Sequence, residues 1–212
     1  YRRSEYIYDL AQLIHQQNLA PLHVIAHSLG GGVALCYAGV YPENIKKMIV
    51  IEGTGGPPGN YYDRPIHKKI GDWIEQTRKM AGRLPKRYEN LEEAFERMHE
   101  ANSHLRADQA RHLTAHGSDQ NEDGSYSWKF DNYTHVMSPL DILPHETREL
   151  WGRIDSPVML VSGSESWMDS VEREKHVTYF KDATHVTVQD AGHWVQHDQL
   201  DEFLGLTRDF FG

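Results

Sequence analysis

The chain has 212 residues, with 22 Lys and Arg against 31 Asp and Glu, which gives a formal net charge of −9. This length is enough for a domain with its own buried core, whereas an acidic chain without a basic stretch lacks the footprint of a nucleic-acid-binding protein. No apolar run approaches the roughly 20 residues that a membrane-spanning helix needs. The single cysteine, Cys36, excludes an internal disulfide framework, and it fits a reducing compartment, so we expect a cytoplasmic location.

The first third of the chain alternates helical and strand patterns. Small or apolar residues predict helices at Ser4–Asn18 and Gly30–Tyr41, and short apolar runs predict buried strands at Leu22–Ala26 and Met48–Ile51. A loop rich in glycine and proline follows at Gly53–Asn60. This alternation is typical of a parallel sheet covered by helices.

Charged and amphipathic stretches dominate from about Tyr61 to Pro144. They predict helices at Pro65–Met80, Asn90–Ala101 and Ala107–His116, and one arm of a hairpin at Tyr126–Phe130. We therefore expect a mostly helical insertion between two sheet-forming parts.

The strand–helix alternation resumes after the insertion. The remaining elements are expected to be helices near 144–151, 170–180 and 198–211, with strands at 158–161 and 185–188. The predicted organisation is therefore a core part at 1–60, an insertion at 61–144 and a second core part at 145–212.

The strongest chemical signal is the segment Ala26–Gly31, with the sequence AHSLGG, between a predicted strand and a predicted helix. A serine on such a tight turn has its hydroxyl lifted clear of the sheet, and crowding there demands small residues two positions before and after it, here Ala26 and Gly30. The backbone N–H of Leu29 can then help to stabilise an oxyanion. We therefore predict that Ser28 is a nucleophile, the alternative being a glycine-rich helix start with an incidental serine.

A serine hydroxyl needs a neighbouring base to take its proton, and His193 is the predicted base. The segment Ala191–His193 follows the last predicted strand, and loops at the carboxyl ends of strands hold the site of an open α/β sheet. The alternatives are a surface histidine, or a metal ligand paired with His197. The metal alternative lacks a third Glu or Cys ligand at a diagnostic spacing, so no metal is expected.

These segments resemble the α/β-hydrolase superfamily, and more narrowly its small serine-hydrolase-like (kraken-like) branch. The resemblance extends over essentially the whole chain and rests on Ala26–Gly31, Tyr41–Glu43, Ile51–Gly53 and Asp190–Trp194. It implies an α/β-hydrolase fold, which is a mostly parallel sheet flanked by helices, with the insertion as a helical lid. It also implies hydrolysis of a small carboxylic ester or related acyl compound through an acyl-enzyme, without a cofactor.

The implied lid contains apolar residues that are candidates to line an acyl or aromatic pocket. Ordinary packing is the alternative for each of these residues: Trp73, Met80, Phe95, Met98, Leu105, Trp128 and Phe130.

The acid of the catalytic triad departs from the family pattern. Such hydrolases usually carry an Asp three residues after the glycine that ends the strand at 158–161, and this position is Ser166. A serine cannot supply the negative charge that orients an imidazolium. Three carboxylates are candidates in its place, in this order: Glu165, Glu52 and Asp169.

Each of the three candidate carboxylates has its own rationale and its own alternative. Glu165 comes one residue early, but its longer side chain extends its reach, whereas Glu52 ends the preceding strand of the sheet. Asp169 lies further along the same loop as Glu165. The alternative for Glu52 is a carboxylate satisfied by backbone N–H groups, and for the other two it is a solvated charge.

The family also places several strands, and the loop that gives the second oxyanion donor, on the order of 70–100 residues beyond the start of this chain. Only residues 1–27 precede Ser28. We therefore expect a longer protein whose N-terminal strands lie outside this sequence. The runner-up function is a hydrolase-like small-molecule binding protein or receptor with little turnover, which the serine at position 166 favours. The oligomeric state and the identity of the substrate are not predicted by these residues.

Overall fold

The structure is a computed structural model that describes residues 1–55, 61–167 and 170–212, with the backbone alone for 170–173. Most of the predicted glycine-rich loop, at 56–60, and the candidate acid Asp169 lie outside the described residues.

Strands and helices alternate at both ends of the chain. The strands are β1 (Leu22–His27), β2 (Ile45–Ile51), β3 (Ser118–Gln120), β4 (Tyr126–Trp128), β5 (Val158–Gly163) and β6 (Ala183–Val188). The α-helices are α1 (Arg3–Gln16), α2 (Leu29–Val40), α3 (Ile66–Met80), α4 (Leu91–Ala101), α5 (Ala107–Gly117), α6 (Pro144–Trp151), α7 (Ser170–Val177), α8 (Val195–Asp198) and α9 (Leu200–Phe211). Short 3-10 turns lie at Pro42–Asn44 and Asn132–His135.

The described chain divides into two compact units. One unit comprises Arg2–Arg64 and Leu140–Gly212, and the other comprises Pro65–Pro139 together with Tyr1. We call them the core unit and the insertion unit.

The core unit is built on a parallel sheet in the order β1-β2-β5-β6. At the carboxyl ends of the strands, His27 lies opposite Ile51, which lies opposite Val161. Gly163 lies opposite Val188 on the last strand. Because this register aligns the strand ends, the loops that leave the four strands begin at one edge of the sheet.

Strand β2 is covered on both faces of the sheet, and its successive side chains point alternately to the two faces. In β2, Met48 and Val50 pack with helices α1, α2 and α6, whereas Ile49 and Ile51 pack with α8 and α9. A strand buried on both faces has to be apolar at every position, which explains the continuous run Met48–Ile51. Helix α2 is apolar nearly all round and is buried from Val33 to Gly39, as expected for a helix packed against a sheet.

Strand β2 begins three residues earlier than the sequence predicts, because two lysines interrupt its apolar pattern. Ile45 is buried and pairs with Leu22 of β1. Lys46 points to solvent, whereas the ammonium group of Lys47 donates a hydrogen bond to the Phe210 carbonyl at 2.7 Å. Lys47 can therefore occupy a position in β2, because its ammonium group is hydrogen-bonded to the last turn of α9.

The insertion unit has a small core of its own. Phe95, Leu105 and Ala110 are buried, and β3 and β4 form an antiparallel hairpin in which Ser118 lies opposite Trp128. Two residues proposed as pocket lining, Phe95 and Leu105, are therefore packing residues of this unit. The exposed fractions of Trp73 and Phe130 are 39% and 46%.

The part of the chain that the structure describes contains no helix with both the length and the apolar character needed to cross a bilayer.

Candidate active site

The carboxyl ends of the four parallel strands supply the candidate catalytic residues. Ser28 follows β1, Glu52 follows β2, Ser166 lies in the turn after β5, and His193 lies in the loop after β6. Loops at this edge of an open parallel sheet are where α/β proteins bind their ligands. Residues far apart in the chain therefore meet at one place.

Ser28 lies on a strained turn between β1 and α2. Its backbone has φ 53° and ψ −124°, a left-handed conformation that costs about 1–3 kcal/mol for a residue other than glycine. The Ser28 N–H donates to the Ile51 carbonyl at 2.8 Å, which fixes the turn to β2. A strained turn between a strand and a helix is the backbone geometry that the sequence of the segment predicts.

The close packing behind this turn occurs at a different glycine from the expected one. A Cβ atom on Gly31 would lie 2.8 Å from the Gly53 Cα and 2.8 Å from the Val50 side chain. A Cβ on Gly30 would meet no atom within 4 Å among the described residues. Among the described residues, this steric demand is therefore made at Gly31, by the contact between α2 and the loop after β2.

His193 forms a hydrogen bond with the predicted nucleophile. Its Nε2 atom lies 3.0 Å from the Ser28 Oγ. When the serine hydroxyl donates to Nε2, the neutral imidazole carries its proton on Nδ1. The Nδ1 atom is buried and makes no hydrogen bond to the described residues, and it faces the Glu52 carboxylate.

The carboxylate on the far side of His193 is that of Glu52. Its Oε2 atom lies 3.8 Å from the His193 Nδ1, and its side chain has no exposed surface. Glu52 itself has a positive φ of 49°. The Gly163 N–H donates to its Oε1 at 2.9 Å, and the Ser166 hydroxyl donates to its Oε2 at 2.7 Å. A buried carboxylate thus lies within about 1 Å of hydrogen-bonding distance from the imidazole.

Glu165, ranked first from the sequence, is exposed. Its backbone N–H donates to the Ala191 carbonyl at 2.9 Å, so the residue contributes its main chain to the histidine loop. The geometry therefore favours Glu52 over Glu165 as the orienting acid, and Ser166 contacts Glu52 instead of replacing it.

The loop that carries His193 is fixed at several points. The Gly192 N–H donates to the Asp198 carboxylate at 2.8 Å, and the Asp190 N–H donates to the Ser164 hydroxyl at 3.0 Å. The side-chain amide of Gln199 donates to the Asp190 carbonyl at 3.1 Å.

These bonds explain why the last helix is not continuous. The sequence predicts one helix from Asp198 to Phe211, but Gln199 has φ −129° and ψ 61° and separates α8 from α9. The break leaves Asp198 and Gln199 to bind the histidine loop.

His27 is a site residue that the sequence did not single out. Its Nε2 lies 2.8 Å from the carbonyl oxygen of His193, and the two ring centroids are 4.7 Å apart. Because a carbonyl only accepts, the proton of His27 lies on Nε2. Burial lowers the pKa of His27 from its ordinary value, against the opposing effect of the hydrogen bond to the His193 carbonyl. The sequence carries no signal for this role, since the partner is a backbone atom on another loop.

Leu29 and two tryptophans complete the surroundings of Ser28. Leu29 is the first residue of α2, and the first N–H groups of a helix have no acceptor within the helix. The Trp167 ring lies 6.3 Å from the His193 ring and is 69% exposed, and the Trp194 ring lies 5.2 Å from the His27 ring. Within the described ranges, no group of three or more His, Cys, Asp or Glu side chains is placed to hold a metal ion.

Comparison with protein families identifies the family to which the fold belongs. Residues 1–200 match the model of the alpha/beta hydrolase fold family. The chain belongs to this family. The expected fold class, a mostly parallel sheet flanked by helices, is confirmed.

Among curated proteins, this α/β hydrolase is 26% identical over 211 residues to a Haemophilus influenzae protein named as an esterase/lipase. It is 25% identical over 158 residues to a serine hydrolase-like protein of Danio rerio. These matches cover 95% and 74% of this chain but only 64% and 48% of the two relatives. The chain therefore spans about half to two thirds of the length of these relatives.

Solved structures with the same fold extend over the whole chain. A hypothetical protein of Pseudomonas aeruginosa PAO1 matches with a TM-score of 0.83 at 20% identity, over 100% of this chain and 73% of that one. E-2-(acetamidomethylene)succinate hydrolase matches with a TM-score of 0.78 at 18% identity, over 100% and 74%. At these identities the likeness shows the fold alone.

Proposed function

We propose that this chain carries the catalytic residues of a serine hydrolase that cleaves a carboxylic ester or a related acyl compound. Ser28 is the nucleophile, His193 the base and Glu52 the orienting acid. The observation that carries the proposal is the 3.0 Å contact between the Ser28 Oγ and the His193 Nε2, with the Glu52 carboxylate on the Nδ1 side of the same ring. The names of the relatives, an esterase/lipase and a serine hydrolase-like protein, support the same chemistry.

In the first half of the proposed reaction, the Ser28 Oγ attacks the acyl carbonyl carbon while its proton passes to the His193 Nε2. The resulting oxyanion accepts a hydrogen bond from the Leu29 N–H, which is the proposed donor on this chain. The intermediate collapses, the bond to the leaving alcohol breaks, and His193 returns the proton to that alcohol. Ser28 is then acylated.

In the second half, water attacks the acyl carbon and gives its proton to the His193 Nε2. The intermediate expels the Ser28 oxygen, which takes this proton back, and a carboxylic acid is released. His193 is positively charged in both transition states, so a carboxylate beside its Nδ1 lowers both barriers. In this proposal the 3.8 Å gap between the Glu52 Oε2 and the His193 Nδ1 closes as the imidazolium forms.

A runner-up function is a binding protein or receptor that has the hydrolase site but little turnover. The unmade hydrogen bond at the His193 Nδ1 favours it, because an unsupported imidazole is a weaker base. Repeated turnover of a p-nitrophenyl ester would contradict the runner-up, whereas one slow acylation followed by tight retention of the ligand would favour it.

A fluorophosphonate probe tests the proposed nucleophile without knowledge of the substrate. The Ser28 oxygen displaces fluoride from phosphorus, so we expect one adduct per chain by intact mass in the full-length protein. Ser28→Ala should abolish the adduct, and Ser4→Ala, a change at an exposed serine in α1, should leave it unchanged. Labelling of Ser28→Ala at the wild-type rate would contradict the proposal.

The substrate is proposed to be a small acyl compound, and no cofactor takes part in the proposed steps. For residues 61–144, the role of a lid that selects the acyl group stays a prediction of the family resemblance. The cytoplasmic location is likewise a proposal, supported by the single cysteine, Cys36, which is completely buried and whose pKa is raised by that burial. Fractionation of the source cells tests it, and recovery of the protein outside the cytoplasmic fraction would contradict it.

A further inference from the structure

The buried carboxylate of Glu52 accepts two hydrogen bonds, one on each of its oxygens. The Gly163 N–H binds Oε1 at 2.9 Å, whereas the Ser166 hydroxyl binds Oε2 at 2.7 Å. Oε2 is also the oxygen that lies 3.8 Å from the His193 Nδ1. Ser166 therefore holds the carboxylate oxygen that the base needs.

The turn that carries Ser166 is packed tightly against the histidine loop. The Ser166 N–H donates to the Gly163 carbonyl at 3.3 Å. A Cβ on Gly163 would lie 2.1 Å from the Ala191 carbonyl oxygen and 2.4 Å from the Gly192 carbonyl oxygen. Glu52, Ser166 and the backbone next to His193 are thus fixed to one another through the end of β5.

We propose that Ser166 is a positioning residue that orients the Glu52 carboxylate toward the His193 Nδ1. The inference rests on the proposed function, in which Glu52 is the orienting acid. A carboxylate oxygen has two lone pairs, so Oε2 can accept from the Ser166 hydroxyl and from the imidazole N–H together. The terminal torsion of a glutamate is otherwise broad, and the hydroxyl selects the rotation that presents Oε2 to the ring.

The Ser166 side chain ends beside the Glu52 oxygen that faces His193. Because the Ser166 Oγ lies 2.7 Å from the Glu52 Oε2, a carboxylate carried by residue 166 would bring its charge to the same point beside His193. Positions 52 and 166 are then two attachment points for one negative charge. The double variant Glu52→Gln/Ser166→Asp should recover activity that Glu52→Gln alone has lost.

The test measures the fluorophosphonate labelling rate and the kcat and KM for p-nitrophenyl butyrate in the full-length protein. Ser166→Ala should lower the labelling rate and kcat by roughly tenfold, the effect of one lost hydrogen bond to a charged group, with KM little changed. Ser166→Thr, which keeps the hydroxyl, should recover most of the loss. Ser156→Ala, just before the start of β5 and also buried, is the matched control and should have the same rates as the wild type.

A role through Glu52 predicts that the effects are not additive. In the Glu52→Gln background, Ser166→Ala should cause no further loss, because the group on which Ser166 acts has gone. An equal loss in both backgrounds would overturn the inference, since a merely structural contribution adds independently. Thermal unfolding of each variant separates misfolding from loss of positioning.

The proposed role of Ser166 and the proposed role of Glu52 can be contradicted separately. Wild-type rates in Ser166→Ala together with a large loss in Glu52→Gln would overturn the role of Ser166 and leave the triad standing. Wild-type rates in Glu52→Gln would overturn the acid assignment and the inference with it. A Glu52→Gln/Ser166→Asp variant at least tenfold more active than Glu52→Gln would support both.

Discussion

The ends of β2 and β5 make an informative comparison, because each of these neighbouring strands is followed by a glutamate at the same edge of the sheet. The Glu52 side chain is completely buried and has its Oε2 3.8 Å from the His193 Nδ1. Glu165 is exposed and supplies its backbone N–H to the Ala191 carbonyl. Position along the chain brings both glutamates near the histidine loop, but the direction and burial of the side chain separate their proposed roles.

The largest expected effect comes from neutralising each glutamate in turn. Glu52→Gln keeps the shape of the side chain but removes the charge that stabilises the imidazolium, so kcat for a p-nitrophenyl ester should fall by roughly 10³–10⁴. Glu165→Gln is the matched control and should change kcat by no more than about twofold, as is usual for exposed positions. An equal fall in kcat in the two variants, or a larger fall in Glu165→Gln, would contradict the proposed role of Glu52.

The chemistry of this site divides into a part that the sequence predicts and a part that it does not. The position of Ser28 at a tight turn is predictable because a strand, small residues and a helix start coincide locally, and that of His193 because it lies in the loop after the last strand. The choice of Glu52 over Glu165 depends on which side chain turns inward, and neighbours more than 100 residues away decide this, such as Gly163 and Ser166.

The fold shows the same division between local and distant information. The apolar runs of β2 and β5 predict a parallel sheet, since only strands buried on both faces need them. Local patterning does not predict the early start of β2 or the break at Gln199. Lys47 in β2 is satisfied by the carbonyl of Phe210, far away in the chain, and Asp198 and Gln199 bind the histidine loop. The N-terminal strands expected from the family resemblance stay a prediction.

A second difference between the strand ends concerns close packing at β5. A Cβ on Gly163 would collide with backbone oxygens of the histidine loop. Gly163→Ala should therefore lower the free energy of unfolding by about 3 kcal/mol, because backbone cannot move aside cheaply. Urea denaturation measures the loss.

The control for this change is Gly205→Ala in α9, where a Cβ would meet no described atom within 4 Å. Alanine is the better helix former, so this variant should gain roughly 0.5–1 kcal/mol. A Gly163→Ala protein with wild-type stability would mean that the contact between β5 and the histidine loop is looser than described.

A smaller effect is expected on the β1 side of the site, where His27 binds the backbone of His193. His27→Leu removes the donor to the His193 carbonyl, and kcat should fall by roughly five- to tenfold. His27→Gln keeps an N–H donor at the end of a side chain of similar length and should recover most of this loss. If the Gln and Leu variants were equally slow, the hydrogen bond would not be the relevant contribution.

The smallest expected effect is on stability against pH. Burial places the pKa of His27 below the ordinary value of 6.5, so the unfolded chain takes up a proton first as the pH falls through 6.5. Folding stability is then lost below this pH, in the interval down to the lowered pKa of the folded protein. His27→Gln should lose less stability than the wild type between pH 8 and about pH 5.5. Urea denaturation at the two pH values measures the free energy of unfolding of both proteins. An equal decrease in the wild type and in His27→Gln would contradict a lowered pKa of His27.

The orientation of His193 by Glu52 is tested most directly by a crystal structure of the full-length protein with Ser28 phosphonylated, a state that mimics the charged intermediate. The gap between the Glu52 Oε2 and the His193 Nδ1, now 3.8 Å, should close to about 2.7–3.0 Å, with the Ser166 hydroxyl still on Oε2. A Glu165 carboxylate bound to the Nδ1, or a gap that stays open, would contradict the account.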